Sequence, residues 1–291
     1  MPELPDITVY RESLDARVRG WVLRSVQVSS PFVLRSVTPP LSAFDGVRVA
    51  GIERLGKRLV IACDGELFLV IHLMIAGRLK WVAAGKKATR GLVTFEFDSG
   101  TLTLTEAGTK RRASLTAVAG RDAVRAMDRG GIDVLHASDA DVLSRMRSEN
   151  HTLKRTLTDP RLFDGIGNSY SDEILHAAQL SPLLLTSRLT DADAMRLIAA
   201  MRETLIGWTE RLRAEAGSGW PEKVTAFRPA MAVHGRFKLP CPVCGAPVQR
   251  IRYAENETNY CARCQTGGRV LADRAMSRLL KDDWPRSLDE Q

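Results

Sequence analysis

The C-terminal region contains two cysteine pairs, Cys241-Pro-Val-Cys244 and Cys261-Ala-Arg-Cys264. Two residues separate the cysteines of each pair, and sixteen residues separate the pairs. This spacing lets two knuckles close on one tetrahedral Zn2+, whose four thiolates leave no position for water or substrate. Disulfides are the alternative, but the paired spacing and a reducing compartment disfavour them. The sequence therefore predicts a zinc ribbon with one structural Zn2+ bound by Cys241, Cys244, Cys261 and Cys264.

The charge of the chain indicates a polyanionic partner. The 291 residues include 42 Lys and Arg against 34 Asp and Glu, which gives a net charge of +8. This excess favours nucleic acid or an acidic membrane surface. Hydrophobic residues make up 44% of the chain, enough for about two domains with cores, and this excludes a disordered chain. No run approaches the roughly 20 apolar residues of a membrane span, and the N-terminus is acidic, so we expect a cytoplasmic protein.

Helical patterns precede the ribbon. We predict helices over residues 139–149, 151–158, 169–179 and 191–214, the last with Thr190 as its N-cap. The segment from Gly217 to Pro229 is rich in glycine and proline, and it is either a mobile loop or a linker.

The first half of the chain has a β texture. Short apolar runs bounded by Gly, Pro, Asp or Ser predict strands over residues 22–28, 59–63, 67–71, 92–97 and 102–105. Such spacing is typical of an all-β sandwich or barrel. Apolar residues three to four apart over residues 3–19 predict a leading helix that ends at Gly20.

The N-terminus carries a candidate nucleophile. Removal of Met1 would expose the secondary amine of Pro2, and an α-amino group has a pKa of about 8 against about 10.4 for lysine. Such an amine can attack a sugar C1′ and form an iminium, while Glu3 supplies an acid toward the ring oxygen. Taken alone, Pro2-Glu3 indicates a good helix start rather than a nucleophile.

Five motifs follow one another in a fixed order. They are Pro2-Glu-Leu-Pro-Asp6, Arg54-Leu-Gly-Lys-Arg-Leu59, His72-Leu-Met-Ile-Ala-Gly77, Gly165-Ile-Gly-Asn-Ser-Tyr-Ser-Asp-Glu-Ile-Leu175, and His234-Gly-Arg236 before the ribbon. Together they resemble the formamidopyrimidine-DNA glycosylase and endonuclease VIII family of bacterial base-excision repair enzymes. The resemblance spans residues 2 to about 265.

The resemblance implies an α+β multidomain fold. Its parts are an N-terminal catalytic β-sandwich with a leading helix over residues 2–125, a helix-two-turn-helix domain over 126–232, the zinc ribbon over 233–268 and a C-terminal extension over 269–291. It further implies a monomer that binds damaged double-stranded DNA between its lobes, in the cytoplasm of a bacterium and associated with the nucleoid when bound.

The resemblance also implies the reaction and its residues. The family excises oxidised bases and nicks the abasic site as a bifunctional glycosylase and lyase. Pro2 matches its Schiff-base nucleophile, Glu3 its general acid, and Lys57 a lysine that contacts the phosphates of the lesion. Asp6 stands where the family usually has a glutamate, and its carboxylate is one methylene shorter.

Further positions match DNA contacts of the family. His72 matches a phosphate-contacting histidine, and Met74 followed by Ile75 stands where one branch has a glycine and then a wedge methionine. A second wedge loop corresponds to residues 108–112 and contains Lys110 and Arg111. The remaining phosphate contacts are Lys154 and Asn168. Asn256 stands at the ribbon tip, where the family usually has a phosphate-gripping arginine tied to δ-elimination, so β-elimination is better supported.

Other functions remain open at this point. The altered wedge also fits a preference for oxidised pyrimidines or for bulky and cross-linked adducts. The altered ribbon tip fits a non-catalytic damaged-DNA-binding protein. A zinc-ribbon RNA-binding or transcription factor is a further alternative, but it does not account for the strings around Pro2 and Lys57.

Overall fold

A computed structural model of the chain describes residues 1–107, 111–222, 224, 228–253, 256–273, 279 and 286–288. The chain forms two compact units. Unit 1 comprises Met1–Arg129 and Trp208–Thr225, and unit 2 comprises Gly130–Gly207 and Ala226–Gln291.

Unit 1 begins with a helix and continues as an antiparallel β-structure. The helices are α1 (Leu4–Val18) and α2 (Arg121–Arg125). The strands are β1 (Val22–Val28), β2 (Val47–Leu55), β3 (Arg58–Cys63), β4 (Leu67–His72), β5 (Gly77–Ala83), β6 (Val93–Phe97), β7 (Gly100–Glu106) and β8 (Ser114–Ala119). They are hydrogen-bonded in the order β5-β7-β6-β1-β2-β3-β4-β8.

The two halves of this sheet face one core. β1 meets β2 at the pairs Val22 with Arg48 and Leu23 with Val47. Side chains from both halves, such as Phe95 of β6 and Ile61 of β3, are fully buried in one hydrophobic cluster. The sheet is thereby folded on itself as a sandwich, which confirms the predicted fold of this region.

Helix α1 closes the sandwich. Its side chains Ile7, Tyr10, Leu14 and Val18 are buried in the same cluster. The helix ends as predicted, because Gly20 has a φ of +79°, a left-handed conformation that glycine adopts without strain. The backbone N–H of Ile52 donates to the carboxylate of Asp15 at 2.8 Å and joins the helix to β2.

The start of the glycine- and proline-rich segment is packed on unit 1. The indole N–H of Trp220 donates to the carbonyl of Leu79 at 2.9 Å, and its ring lies 5.4 Å from that of Tyr10. Arg17 donates to the carbonyl of Ser218 at 2.9 Å. Residues 217–222 are therefore a fixed part of this unit.

Unit 2 is helical and ends in the ribbon. Its helices are α3 (Asp139–Arg147), α4 (Leu153–Thr158), α5 (Asn168–Ala177) and α7 (Ala262–Thr266), and its strands are β9 (Val248–Tyr253) and β10 (Asn256–Cys261). Helix α6 (Asp191–Ala216) begins in unit 2, and the hydroxyl of Thr190 accepts from the N–H of Asp193, as its predicted N-cap role requires. β9 and β10 form an antiparallel hairpin, which confirms the predicted ribbon.

Part of the C-terminal extension packs back on the ribbon. Leu271 is buried beside Ile251 and Tyr260, and the N–H of Leu288 donates to the carbonyl of Gly268 at 3.1 Å. None of the helices in the described ranges is long and apolar enough to cross a membrane.

Candidate functional site

The amino end of the chain is buried at the start of α1. Pro2, Glu3 and Asp6 are all buried. A carboxylate oxygen of Asp6 accepts from the backbone N–H of Glu3 at 2.9 Å. This bond satisfies an otherwise orphan donor of the first helical turn and fixes the backbone at Glu3. The shorter side chain of Asp6 is long enough for this contact.

Charged side chains surround the α-amino group. Burial lowers the pKa of the Met1 amine, and the cations Arg78 and Lys57 lower it further, whereas Glu3 and Asp6 act in the opposite direction. The structure thus brings the predicted residues Glu3, Asp6 and Lys57 near the chain end. Sequence reasoning missed Arg78, although it directly follows the third quoted motif.

A two-residue turn carries Lys57. Gly56 and Lys57 connect β2 to β3, and Gly56 has a φ of +62°, as the first position of a tight hairpin turn favours. Arg54 donates to the carbonyl of Gly56 at 3.0 Å and steadies the turn. The lysine is half-buried and interacts with other groups of the site.

His72 lies at the end of β4, in register with Arg58 of β3 and Ser114 of β8. Burial lowers the pKa of His72 to about 4, and the cations Arg58, Lys57 and Arg129 add to this effect. The imidazole is therefore neutral at pH 7, with one N–H as donor.

The turn between β4 and β5 presents one apolar side chain to solvent. Met74 has a φ of +52°, a conformation that costs a non-glycine residue about 1–2 kcal/mol. The N–H of Gly77 donates to the carbonyl of Leu73 at 2.9 Å, and a Cβ at Gly77 would lie 2.2 Å from that oxygen. Leu73 is buried, and Ile75 between them is 56% exposed.

The second predicted wedge loop is held at its end. The carboxylate of Glu106 accepts from the N–H groups of Arg112 at 2.9 Å and Ala113 at 3.0 Å. Arg111 is exposed. Lys110 lies outside the described residues.

In unit 2, the two predicted phosphate contacts bind partners inside the protein. The ammonium of Lys154 donates to a carboxylate oxygen of Asp172 at 2.5 Å and to the carbonyl of Asn168 at 2.7 Å. The side-chain amide of Asn168 donates to the carbonyl of Glu257 at 2.8 Å. Both residues therefore fix the turn between α4 and α5, where Gly165 has a φ of +79°.

Two adjacent buried carboxylates of α5 hold the segment that leads into the ribbon. Asp172 also accepts from His234 at 2.8 Å. Glu173 accepts from the backbone N–H groups of Ala232, Val233 and His234 at 2.7–2.9 Å. Both acids belong to the motif over residues 165–175, but the sequence predicted no role for them. Their position in a helix beside polar residues carries no signal for contacts some 60 residues away.

The four predicted zinc ligands converge. Their sulfur atoms all lie within 4.8 Å of one another, with Cys241 to Cys264 at 3.9 Å and Cys244 to Cys261 at 3.4 Å. Four sulfurs at about 2.3 Å from a tetrahedral ion lie about 3.8 Å apart, so the cluster fits one Zn2+. None of the five cysteines forms a disulfide. The fit confirms the predicted structural zinc site.

The ribbon hairpin neutralises part of its own positive charge. Arg250 and Arg252 lie 3.3 Å and 3.7 Å from one carboxylate oxygen of Glu257. The guanidinium of Arg250 also stacks over the ring of Phe237 at 4.0 Å. Asn256 begins β10, and its side chain lies outside the described part of the chain.

Comparison with known protein families matches three regions of the chain. The formamidopyrimidine-DNA glycosylase N-terminal domain matches residues 1–114, and the H2TH domain of the same enzymes matches residues 134–213. A zinc finger found in FPG and IleRS matches residues 238–267.

Two relatives illustrate the similarity in sequence. The chain is 32% identical to the formamidopyrimidine-DNA glycosylase of Thermus thermophilus over 276 residues, which cover 92% of this chain and 100% of the relative. It is 40% identical to an uncharacterized formamidopyrimidine-DNA glycosylase-like protein of Mycobacterium tuberculosis over 151 residues, 52% of this chain and 94% of the relative.

Solved structures agree with this similarity. The MutM (Fpg) protein of Thermus thermophilus matches with a TM-score of 0.76 and 30% identity, over 91% of this chain and 98% of that one. The Lactococcus lactis Fpg in complex with abasic-site DNA matches with a TM-score of 0.80 over 91% and 99%; at 21% identity this likeness concerns the fold alone.

Proposed function

The chain belongs to the formamidopyrimidine-DNA glycosylase family, and on that premise we propose that it excises oxidised bases from double-stranded DNA and cleaves the abasic site by β-elimination. The observation that carries the proposal is the amino end of the chain. Burial lowers the pKa of the Met1 amine, the cations Arg78 and Lys57 add to this effect, and Glu3 opposes it. Removal of Met1 would leave the Pro2 nitrogen in these surroundings, which favour an unprotonated, nucleophilic amine at neutral pH.

The reaction begins at the nitrogen of Pro2 once Met1 is removed. Its lone pair attacks C1′ of the damaged nucleotide, and the glycosidic bond between C1′ and the base breaks. The base departs with the proton that the amine loses. Glu3 protonates the ring oxygen, which opens the sugar and gives an iminium between Pro2 and C1′. Loss of a C2′ proton expels the 3′ phosphate, and water hydrolyses the iminium to release Pro2.

The groups near the amine supply electrostatics. Lys57 and Arg78 oppose protonation of the amine and match the negative charge of the flanking phosphates. Asp6 holds the backbone of Glu3 and is a positioning residue. His72 is neutral and offers an N–H to a phosphate oxygen without adding a charge beside the amine.

When the damaged base leaves the duplex, a side chain of the enzyme must occupy its place in the base stack. Unstacking costs a few kcal/mol, which an inserted apolar side chain offsets. We assign this role to Ile75, because its side chain is exposed on a tight turn. Met74 has a left-handed backbone, at the position where the resemblance implies a glycine in one branch of the family. Arg111 of the second wedge loop is exposed, and we propose it, with Lys110, as a further DNA contact.

The turn before α5 binds backbone phosphate. Lys154 is bonded to Asp172 and to the carbonyl of Asn168, and the side chain of Asn168 is bonded to Glu257. We therefore assign these two residues the task of holding the turn, and assign the phosphate to N–H groups at the start of α5. Phosphate contacts of this kind supply affinity without reading sequence, which suits a monomeric enzyme that acts on any part of the nucleoid in the cytoplasm. Asn256 at the ribbon tip favours a reaction that ends at β-elimination.

The test is a lesion panel with covalent trapping. Duplexes with one 8-oxoguanine, one oxidised pyrimidine or one abasic site are incubated with the protein, and base release and strand scission are scored with and without borohydride. We expect a covalent adduct that maps to Pro2, and a strand ending in an unsaturated aldehyde. A Pro2→Gly variant that traps equally fast would refute the assigned nucleophile. If only the oxidised pyrimidine is released, the enzyme acts on oxidised pyrimidines instead. If the protein binds the duplexes without releasing a base or cutting a strand, it is a damaged-DNA-binding protein.

A further inference from the structure

We propose that His176 is a positioning residue of the zinc centre, whose Nε2–H donates to the sulfur of Cys241 and couples metal retention to helix α5. The Nε2 atom lies 3.3 Å from the Cys241 sulfur, and both residues are almost completely buried. A sulfur that binds Zn2+ is a thiolate and carries no proton, so the imidazole must be the donor. This inference goes beyond the proposed function, because it concerns how the fold keeps its metal.

A donor at this position has a physical purpose. Four thiolates and one Zn2+ carry a net charge of −2, and burial makes that charge costly unless hydrogen bonds disperse it. The sulfur of Cys244 accepts from the N–H of Ala246, and that of Cys261 accepts from the N–H of Cys264. These two donors belong to the knuckles themselves. His176 brings a side-chain donor from a different element to a third sulfur.

The helix that carries His176 also anchors the segment that leads into the ribbon. Asp172 and His176 are four residues apart and therefore lie on one face of α5. Asp172 accepts from His234, which stands at the entrance of the ribbon, and His176 contacts the first zinc ligand. The same face of one helix thus holds both the entrance and the metal centre. Because the hydrogen bond stabilises the charged thiolate of Cys241, its loss should loosen the metal.

The test measures zinc release from the full-length, zinc-loaded protein. Release is started with a mercurial thiol reagent and followed with a zinc-sensitive dye. His176→Phe keeps a ring and removes the donor, whereas His176→Gln keeps an N–H at similar reach. His136→Phe is the matched control, since His136 lies in the same unit and its side chain is 83% exposed. We expect His176→Phe to release zinc about 10-fold faster than the unchanged protein, with His176→Gln and His136→Phe close to it.

A measurement on the unaltered protein covers the case in which a variant fails to fold. Long-range proton–nitrogen NMR of the zinc-loaded chain reports which nitrogen of His176 carries hydrogen. A proton on Nε2 is expected. A proton found on Nδ1 alone, or a His176→Phe variant that releases zinc at the unchanged rate, would overturn the proposal.

Discussion

Because the backbone at Met74 is left-handed, we expect glycine at this position to give a more stable protein than alanine, the reverse of the usual order. Met74→Ala and Met74→Gly both remove the same side chain, so their difference isolates the backbone. At a φ of +52°, alanine retains about 1–2 kcal/mol of strain that glycine lacks. Glycine in turn loses about 0.5–1 kcal/mol more conformational free energy on folding. The balance leaves Met74→Gly more stable than Met74→Ala by about 0.5–1 kcal/mol.

The adjacent residue supplies the control. Ile75 belongs to the same turn but lies outside the left-handed region. The same pair of substitutions there should give the ordinary order, with Ile75→Ala more stable than Ile75→Gly by about 0.5–1 kcal/mol. The expected result is thus a change of sign between two neighbouring positions, which does not depend on the absolute size of either effect.

Unfolding in urea, followed by tryptophan fluorescence, measures the difference. Four of the five tryptophans, Trp21, Trp81, Trp208 and Trp220, belong to unit 1, which also contains Met74, so most of the signal reports the relevant unfolding. The urea midpoints of the four variants are compared at a common slope. If alanine is the more stable substitution at both positions, the left-handed conformation of Met74 is refuted.

Three further outcomes follow from the same structure. The pKa of His72 is about 4 in the folded chain against 6.5 in the unfolded one, so protonation of the unfolded state lowers the stability as the pH falls from 6.5 toward 4. The free energy of unfolding, measured in urea, should fall by about 2 kcal/mol between pH 7 and pH 5. The His72→Gln variant should not show this loss. The Lys57 cation lowers the pKa of the Met1 amine, and after removal of Met1 the Pro2 amine would lie in the same surroundings; Lys57→Met should therefore move the pH profile of borohydride trapping to higher pH, and an unmoved profile would contradict this effect on Pro2. Asp172→Asn leaves the largely buried Lys154 ammonium without its counter-charge and should destabilise unit 2 by about 3–5 kcal/mol, which proteolysis of that unit would detect as faster cleavage.

Local sequence patterns are enough to predict the main domains of the protein. The cysteine spacing predicted the ribbon and its metal, because ligand geometry restricts where four thiolates can stand in a chain. Helix α1 and strand β1 were predicted almost to the residue, since their periodicity is a local property. Strands β2, β5 and β8 escaped prediction: β2 is interrupted by a register shift at Gly51, and β5 and β8 lie at the two edges of the sheet, where pairing partners define them.

Contacts between polar groups that are far apart in the chain depend on how the elements pack. The bond of Trp220 to Leu79 joins residues 141 positions apart, that of Asn168 to Glu257 joins residues 89 apart, and that of His176 to Cys241 joins residues 65 apart. A sequence pattern records the spacing of residues along one element, and it predicts the chemistry that the element offers. It does not record which distant donor reaches a given acceptor, because that depends on how separate elements pack. For this reason the sequence predicted Lys154 and Asn168 only as phosphate contacts, while their bonds inside unit 2 emerged from the fold.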